Sequence, residues 1–117
     1  MVTRVLKKQN QVLIVEAKVA KTFFERFCGL MGRKNLTRQD CIVFPQCTSI
    51  HTFFMREKID VIFVSAEGLV TKIFYSLKPW KMLFPQKLAA HCIEMASGEA
   101  EKLGIQEGDF LACEGVF

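Results

Sequence analysis

The stretch from Cys47 to Asp60 has the highest density of reactive side chains in the sequence. Cys47 carries a thiol, His51 an imidazole and Asp60 a carboxylate. A thiol nucleophile needs a base within hydrogen-bond reach, and often a third group that orients the base. Cys47 and His51 are therefore candidate catalytic residues of a hydrolase or transferase. The alternative is a packed thiol beside a hydrogen-bonded structural imidazole, which is the usual state of such residues.

A second polar set is embedded in apolar sequence. Asp60 and Glu94 lie within apolar runs, where an unpaired carboxylate is costly. Arg26 is the natural partner, because a guanidinium can hold a carboxylate through two parallel hydrogen bonds. The set predicts either an ion pair that clamps a helix to a sheet or the polar floor of a small-ligand pocket. In the pocket interpretation Phe53 forms part of a wall, and the ligand-binding residues are Arg26, His51, Thr52, Met55, Asp60 and Glu94.

No metal or cofactor is expected. A zinc site needs about four ligands, and the best constellation is Cys47, His51, His91 and Cys92. His91 and Cys92 are adjacent, so in a strand they point to opposite faces. None of the five cysteines forms a Cys-x-x-Cys pair, and no glycine-rich loop precedes a helix in the way that phosphate binding requires.

Composition narrows the class of protein. A chain of 117 residues that is 50% hydrophobic and 24% charged is expected to form one globular domain over 1–117. The net charge of +4 is scattered, whereas nucleic-acid binding needs a concentrated basic face. No apolar run approaches the length of a membrane span or of a signal-peptide core. We therefore expect a cytoplasmic protein that binds no nucleic acid and spans no membrane.

Hydrophobic patterning predicts a mainly β protein. Thr22 and Glu25 form a capping-box pattern, which predicts a short helix at 22–31 with Phe23, Phe27, Leu30 and Met31 on one face. A second helical turn is expected at 97–104, capped by Ser97. Strands are predicted at 2–8, 11–19, 41–44, 50–55, 59–64, 69–75, 88–95 and 110–114. Short strands with two short helices predict a compact antiparallel sandwich, jelly-roll-like, or a partly open barrel.

Residues 76–87 are expected to form a loop, because Pro79 and Pro85 disfavour regular structure. The loop is nevertheless apolar. It is either a flap over one end of the core or a surface for a protein partner or for self-association. The residues that would form this surface are Trp80, Met82, Leu83 and Phe84.

An ordered set of short motifs resembles the bacterial and archaeal family called domain of unknown function 192. The resemblance covers roughly residues 10–114 and implies a small, mainly β, jelly-roll-like domain without specifying an activity. Many relatives have Phe-Trp-Met followed by Asn-Thr, whereas here Phe54 replaces the Trp and Arg56-Glu57-Lys58 replaces the linker. The motifs are Gly29-Leu30-Met31-Gly32-Arg33, His51-Thr52-Phe53-Phe54-Met55, Ile59-Asp60, Phe63, Gly68-Leu69-Val70, Glu94, Gly98, Gly104-Ile105 and Gly108-Asp109.

Three functions therefore remain open from the sequence. The first is a β domain that binds a small ligand or peptide in a polar cleft around the His51–Asp60 segment. The second is a hydrolase or transferase that uses Cys47 and His51. The third is a protein-interaction adaptor that uses the Trp80–Phe84 loop.

Overall fold

A computed structural model describes the backbone of residues 1–117 and every side chain except those of Val15 and Phe23. The protein is mainly β, as the sequence predicts: a large sheet curls into an open half-barrel with two short helices. The strands are β1 (Val2–Lys8), β2 (Gln11–Val19), β3 (Ile42–Phe44), β4 (Ile50–His51), β5 (Ile59–Val64), β6 (Val70–Leu77), β7 (Met82–Leu83), β8 (His91–Ala96) and β9 (Leu111–Cys113).

Seven of these strands form the large sheet, in the order β6-β5-β8-β3-β2-β1-β9, and β4 pairs with β7 in a separate ribbon. Neighbours are antiparallel except β2 and β3, which run parallel through Lys18↔Ile42 and Val19↔Val43. The sheet is otherwise antiparallel, so this pair is an exception to the predicted pattern. The chain between β2 and β3 contains the first helix, and a crossover of this kind returns a strand in the same direction.

Strand β8 lies at the centre of the site-bearing part of the sheet. Its residue Glu94 is opposite Ile42 of β3 on one side and Val61 of β5 on the other. Successive side chains alternate between the faces, so Cys92 joins one apolar cluster and Ile93 joins the other. Because both faces are covered, β5 and β8 are buried along their whole length.

Helix α1 (Phe23–Cys28) begins where the capping box predicts. The Thr22 hydroxyl accepts a hydrogen bond from the Glu25 amide at 3.1 Å, and the Glu25 carboxylate accepts one from the Thr22 amide at 3.2 Å. The helix ends earlier than predicted, at Gly29, whose φ of +48° favours glycine. Leu30 is buried, but Phe27 is 54% exposed, so the predicted apolar face is not buried throughout. The Phe23 side chain lies outside the described residues.

Helix α2 (Glu99–Lys102) follows β8, and its predicted cap is wrong. Gly98, and not Ser97, is the N-cap residue, and it supplies no side-chain hydrogen bond. The amides of Gly98 and Ala100 instead donate to the carboxylate of Asp60, at 3.0 Å each. A carboxylate from a distant strand therefore replaces the expected local cap.

The ribbon formed by β4 and β7 also corrects the sequence interpretation. The predicted strand at 50–55 stops at His51, and the predicted loop at 76–87 contains β7. Ile50 pairs with Leu83, and His51 pairs with Met82. Pro79 and Pro85 flank β7 without interrupting it. We call this pair of strands the β4–β7 ribbon.

The two helices have six and four residues. No helix in the described part of the chain is both long enough and apolar enough to cross a membrane. The cytoplasmic location stays a prediction.

Candidate functional site

A cavity of about 230 Å³ opens beside the C-terminal end of α1, above β3 and β8 and next to β4. Most of its wall is apolar or aromatic. It lies on the face of the sheet where the cluster containing Ile42, Phe44 and Val61 packs. The lining residues are Arg26, Phe27, Cys28, Gly29, Met31, Phe44, Cys47, Ser49, Ile50, His51, Phe53, Met55 and Glu94.

Glu94 forms the floor of this cavity. Its side chain is only 5% exposed, and burial raises the pKa of the carboxyl to about 8. In the described part of the chain it has neither a side-chain hydrogen bond nor an ion pair. Every fully buried side-chain oxygen or nitrogen among the described residues has a hydrogen-bond partner. Because the Glu94 oxygens have none, they are not fully buried. They are therefore open to the cavity, where a ligand can reach them.

Gly29 brings the backbone of the helix end close to this floor. A Cβ atom at Gly29 would lie 3.2 Å from Glu94 Oε1 and 3.1 Å from the ring of Phe44. Glycine therefore permits an approach that a larger residue would obstruct. The end of α1 and the centre of β8 together form the narrow inner part of the cavity.

Arg26 lines the cavity, but it does not form the predicted ion pair. Its guanidinium donates to the backbone carbonyls of Pro45 and Gln46, the latter at 3.0 Å. The clamp that the sequence predicted between Arg26 and the carboxylates of Asp60 and Glu94 is therefore wrong. Arg26 instead fixes α1 to the turn that follows β3.

The predicted catalytic pair, Cys47 and His51, reaches the same cavity without forming a catalytic hydrogen bond. Cys47 Sγ donates to the carbonyl of Ser49 at 3.0 Å, and burial raises the pKa of this thiol. His51 Nδ1 accepts a hydrogen bond from the Phe53 amide at 3.2 Å. A reactive cysteine needs a lowered pKa and a base that removes its proton, so this geometry favours the packed-thiol interpretation.

We expect Cys47 to react slowly with iodoacetamide at neutral pH, because its raised pKa leaves little thiolate. Replacing His51 by alanine should leave the rate unchanged within about twofold, because no hydrogen bond joins the two side chains. Mass spectrometry of the Cys47 peptide over time measures both rates, with the half-buried Cys28 as the internal comparison. Fast labelling of Cys47 that slows in His51→Ala would restore the enzyme interpretation.

Asp60 lies away from the cavity, and its carboxylate is fully buried. Oδ1 accepts from the Ser76 amide at 2.8 Å, and Oδ2 accepts from the amides of Gly98 and Ala100. These bonds tie β5 to the end of β6 and to the start of α2. Asp60 therefore organises the fold and does not line the cavity.

Thr52 is also buried, and its hydroxyl group forms hydrogen bonds within the protein. Its hydroxyl donates to the Lys78 carbonyl at 2.7 Å and accepts from the Lys81 amide at 2.8 Å. Its backbone carbonyl accepts from the Trp80 amide at 2.9 Å. Thr52 therefore holds the turn after β4 against the segment before β7, and so it sets the position of the cavity mouth without lining it.

Replacing Thr52 by valine should lower the free energy of unfolding by about 2 kcal/mol, because the Lys81 amide and the Lys78 carbonyl lose their buried partner. Urea unfolding measures this loss, and the emission of Trp80, the single tryptophan, should report a loosened ribbon. The matched control is Thr71→Val, since Thr71 donates one 3.2 Å hydrogen bond from a strand that tolerates valine. Equal losses in both variants would contradict this role of Thr52.

The four residues considered for zinc do not converge. His91 Nδ1 accepts from the Gln46 amide at 3.0 Å, its ring packs on Phe117 at 5.4 Å, and burial lowers its pKa. Cys92 is fully buried on the other face of β8. Among the side chains that the structure describes, no group of three or more His, Cys, Asp or Glu residues is placed to hold a metal ion.

Aromatic rings surround the cavity mouth. The rings of Phe27 and His51 are 5.9 Å apart, and those of His51 and Phe53 are stacked at 4.9 Å. We call these three residues the aromatic rim. The Trp80 ring lies beside this rim, with its centroid 6.0 Å from that of Phe53 and 4.8 Å from that of Phe54.

The Trp80–Phe84 segment lies partly against the core and partly on the surface. Leu83 packs against the core cluster. Trp80, Met82 and Phe84 are 60%, 58% and 76% exposed. One side chain therefore covers the core, and three remain on the surface.

A second depression of about 590 Å³ lies between the turn after β5 and the segment before β8. Exposed Leu88 and Phe110 border it, and its acidic residue, Glu67, is exposed. It holds no buried titratable group. The cavity over Glu94 is therefore the better candidate site.

Several lining residues were not anticipated as site residues, notably Phe44, Ser49, Ile50 and Gly29. Ser49 and Ile50 lie within the reactive stretch of the sequence, but their chain path depends on pairing with β7. Phe44 looks like an ordinary core residue in its strand. The one sequence signal that did indicate the floor is Glu94 itself, a carboxylate inside an apolar strand.

The curled sheet and the carboxyl at the base of its cavity define a small, mainly β domain with a pocket of fragment size. The chain belongs to the DUF192 family, described as "Uncharacterized ACR", because the model of that family matches residues 4–113. The resemblance seen in the sequence is therefore confirmed.

Relatives extend this assignment. A UPF0127 protein of Thermococcus kodakarensis is 38% identical over 101 residues, which are 83% of this chain and 64% of that protein. The chain thus spans slightly less than two thirds of that relative's length. A UPF0127 protein of Pyrococcus furiosus is 39% identical over 102 residues, covering 83% of this chain and 85% of that protein.

Solved structures share the fold at lower identity. A protein of unknown function from Novosphingobium aromaticivorans superposes with a TM-score of 0.78 at 22% identity, covering 94% of this chain and 83% of that one. A Sinorhizobium meliloti protein superposes with a TM-score of 0.81 at 18% identity, covering 97% of this chain and 93% of that one. These likenesses show the fold alone.

Proposed function

We propose that the protein binds a small, mainly apolar ligand in the cavity over Glu94. The observation that carries this proposal is a buried carboxyl with no partner in the described chain, at the base of a cavity with largely apolar walls. Small-molecule sites typically combine apolar walls with a few polar groups that fix orientation. Glu94 would be the orienting group, and the aromatic rim and Met55 would form walls.

The size of the cavity limits the ligand. Drug-sized ligands occupy pockets of roughly 300 to 1,000 Å³, whereas this cavity measures about 230 Å³. An engineered apolar cavity of about 150 Å³ accommodates benzene. The proposed ligand is therefore close in size to a single substituted ring. A peptide would place one side chain in the cavity and leave its backbone outside.

The residues that the sequence indicated divide between binding and positioning. Arg26, His51, Met55 and Glu94 line the cavity, and we propose that they contact the ligand. Thr52 and Asp60 would act indirectly, through the ribbon and the sheet. The enzyme alternative receives less support, because the Cys47 thiol donates a hydrogen bond to the Ser49 carbonyl and has a raised pKa.

The test is a fragment screen followed by two-dimensional amide NMR. Binding in the cavity should shift the amide signals of Gly29, Ser49 and His51. Ser49→Trp, at an exposed position on the cavity wall, should abolish these shifts. The matched control is Ala66→Trp, at an exposed turn beside the second depression, and it should leave them unchanged. Shifts that appear only elsewhere, or that survive Ser49→Trp, would overturn the proposal.

Self-association through Trp80, Met82 and Phe84 is a second candidate, because three large exposed apolar side chains lie in one short segment. We expect Trp80→Ser to lower the sedimentation coefficient measured at high protein concentration while leaving stability within about 0.5 kcal/mol. The control is Tyr75→Ser, another exposed aromatic position. A wild-type protein that stays monomeric at every concentration would exclude self-association.

A further inference from the structure

The carboxyl group at the base of the cavity has no cationic partner in the described chain. Glu94 lies on a strand that is paired on both sides, on a face where its neighbours Ile42 and Val61 are apolar. An ionised carboxylate in such a place is costly unless a cation or several hydrogen-bond donors meet it. The structure shows neither among the described residues.

Arg26 is the cation of the cavity wall, and it is already occupied. Its two terminal nitrogens donate to the carbonyls of Pro45 and Gln46. It forms no ion pair with Glu94 within 4.0 Å. An anionic ligand would lie beside the Glu94 carboxyl group and would find a guanidinium that already donates to two backbone carbonyls.

The walls suit a cation with an apolar body. The aromatic rim places Phe27 and Phe53 at the mouth, where they can contact the apolar body of a ligand. Phe44, Met31 and Met55 extend the apolar surface inward. A charged nitrogen at the floor and a hydrocarbon part between the rings would therefore both find matching surroundings.

We infer that the ligand of this cavity is a small amine, whose ammonium group pairs with the Glu94 carboxylate while its apolar part contacts the aromatic rim. This inference rests on the proposed function and specifies its ligand class. Binding would bring together an ammonium and a carboxylate, with up to three N–H donors available to the carboxylate oxygens.

Binding of an amine should release a proton at neutral pH, because the empty site holds Glu94 protonated below a pKa of about 8. The thiols near Glu94 are those of Cys41, Cys47 and Cys92, each with a pKa raised by burial. Cys41 packs in the apolar cluster on the opposite face of the sheet. The charged or titratable residues that line the cavity beside Glu94 are Arg26, Cys28, Cys47 and His51. The raised thiol pKa values keep these cysteines neutral where Glu94 titrates.

The experiment measures three probes of one skeleton, benzylamine, benzyl alcohol and benzoate, by amide NMR titration of the full chain. We expect benzylamine to bind wild type at least tenfold more tightly than benzyl alcohol or benzoate. In Glu94→Gln, which keeps the shape of the side chain, benzylamine affinity should fall at least tenfold and benzyl alcohol affinity should change less than threefold. Between pH 6 and 8 benzylamine affinity should rise by up to about tenfold per pH unit in wild type and stay flat in the variant.

The outcomes separate the two proposals. Equal binding of benzylamine and benzyl alcohol, with no effect of Glu94→Gln, would overturn the amine inference and leave the ligand-binding function intact. Tighter binding of benzoate would overturn it in favour of an anion held by Arg26. If no probe shifts cavity signals, or if Ser49→Trp does not block the shifts, the amine inference fails together with the cavity as its site. Unfolding curves of each variant establish that the protein is folded in every titration.

Discussion

Replacing Asp60 by alanine is expected to lower the free energy of unfolding by about 3 to 5 kcal/mol. The carboxylate accepts hydrogen bonds from the Ser76, Gly98 and Ala100 amides at 2.8 to 3.0 Å, and it is fully buried. Removing it leaves three donors without acceptors, and each unsatisfied buried group costs about 1 to 3 kcal/mol. Urea unfolding followed by circular dichroism measures the loss.

Asp60→Asn is the matched variant, because it keeps one carbonyl oxygen of nearly the same position. That oxygen can serve Gly98 and Ala100 together, while the amide nitrogen faces the Ser76 amide and repels it. We expect about half the loss seen for alanine. Glu67→Ala, which removes an exposed carboxylate, should stay within about 0.5 kcal/mol of wild type. If Asp60→Ala is as stable as wild type but no longer binds ligand, Asp60 is a ligand-binding residue and not a structural one.

Replacing Glu94 by glutamine is expected to change the pH dependence of stability. Burial raises the pKa of Glu94 from its ordinary value of 4.5 to about 8, so between these values the unfolded chain ionises and the folded chain keeps its proton. The folded state then binds more protons, and wild-type stability falls as pH rises across this window. The full effect is roughly 4 kcal/mol by pH 8, which is a large share of the stability of a small domain.

Glutamine does not ionise, so Glu94→Gln should not lose stability in this way. The free energy of unfolding of the variant minus that of wild type should therefore increase from pH 5 to pH 8. His91 acts in the opposite direction, because burial lowers its pKa from the ordinary value of 6.5. Its contribution is therefore lost as pH falls below that value. Because His91 is present in both proteins, the difference between their unfolding free energies isolates Glu94. A difference that does not vary with pH would mean that Glu94 is ionised in the empty site.

The sequence anticipated features that depend on local chemistry. The capping box of Thr22 and Glu25 needs only a spacing of three residues, and β1 and β2 follow from apolar and β-branched residues around a polar break at Gln9-Asn10. Glu94 was recognisable because a carboxylate inside an apolar strand demands an explanation. Each of these signals lies within a few residues of the structure that it predicts.

The errors concern partners that are distant in the chain. Opposite charge favoured a pairing of Arg26 with Asp60, but charge does not specify distance, and backbone groups satisfy both side chains instead. Ser97 fits the pattern of a local helix cap, but the acceptor for the first amides of α2 is Asp60, which lies on another strand. Strand β7 has two residues and exists through its pairing with β4, so its own composition contains little information about it.

The division of the cavity between two parts of the structure has an evolutionary consequence. The floor belongs to β8 and β3, whose residues pack on both faces of the large sheet, so most substitutions there would damage the fold. The mouth belongs to α1 and the β4–β7 ribbon, where Phe27, Phe54 and Trp80 are exposed. Substitutions at the mouth can therefore accumulate at little cost to folding. Under the proposed function, we expect relatives of this chain to vary more in the residues of the mouth than in those of the floor.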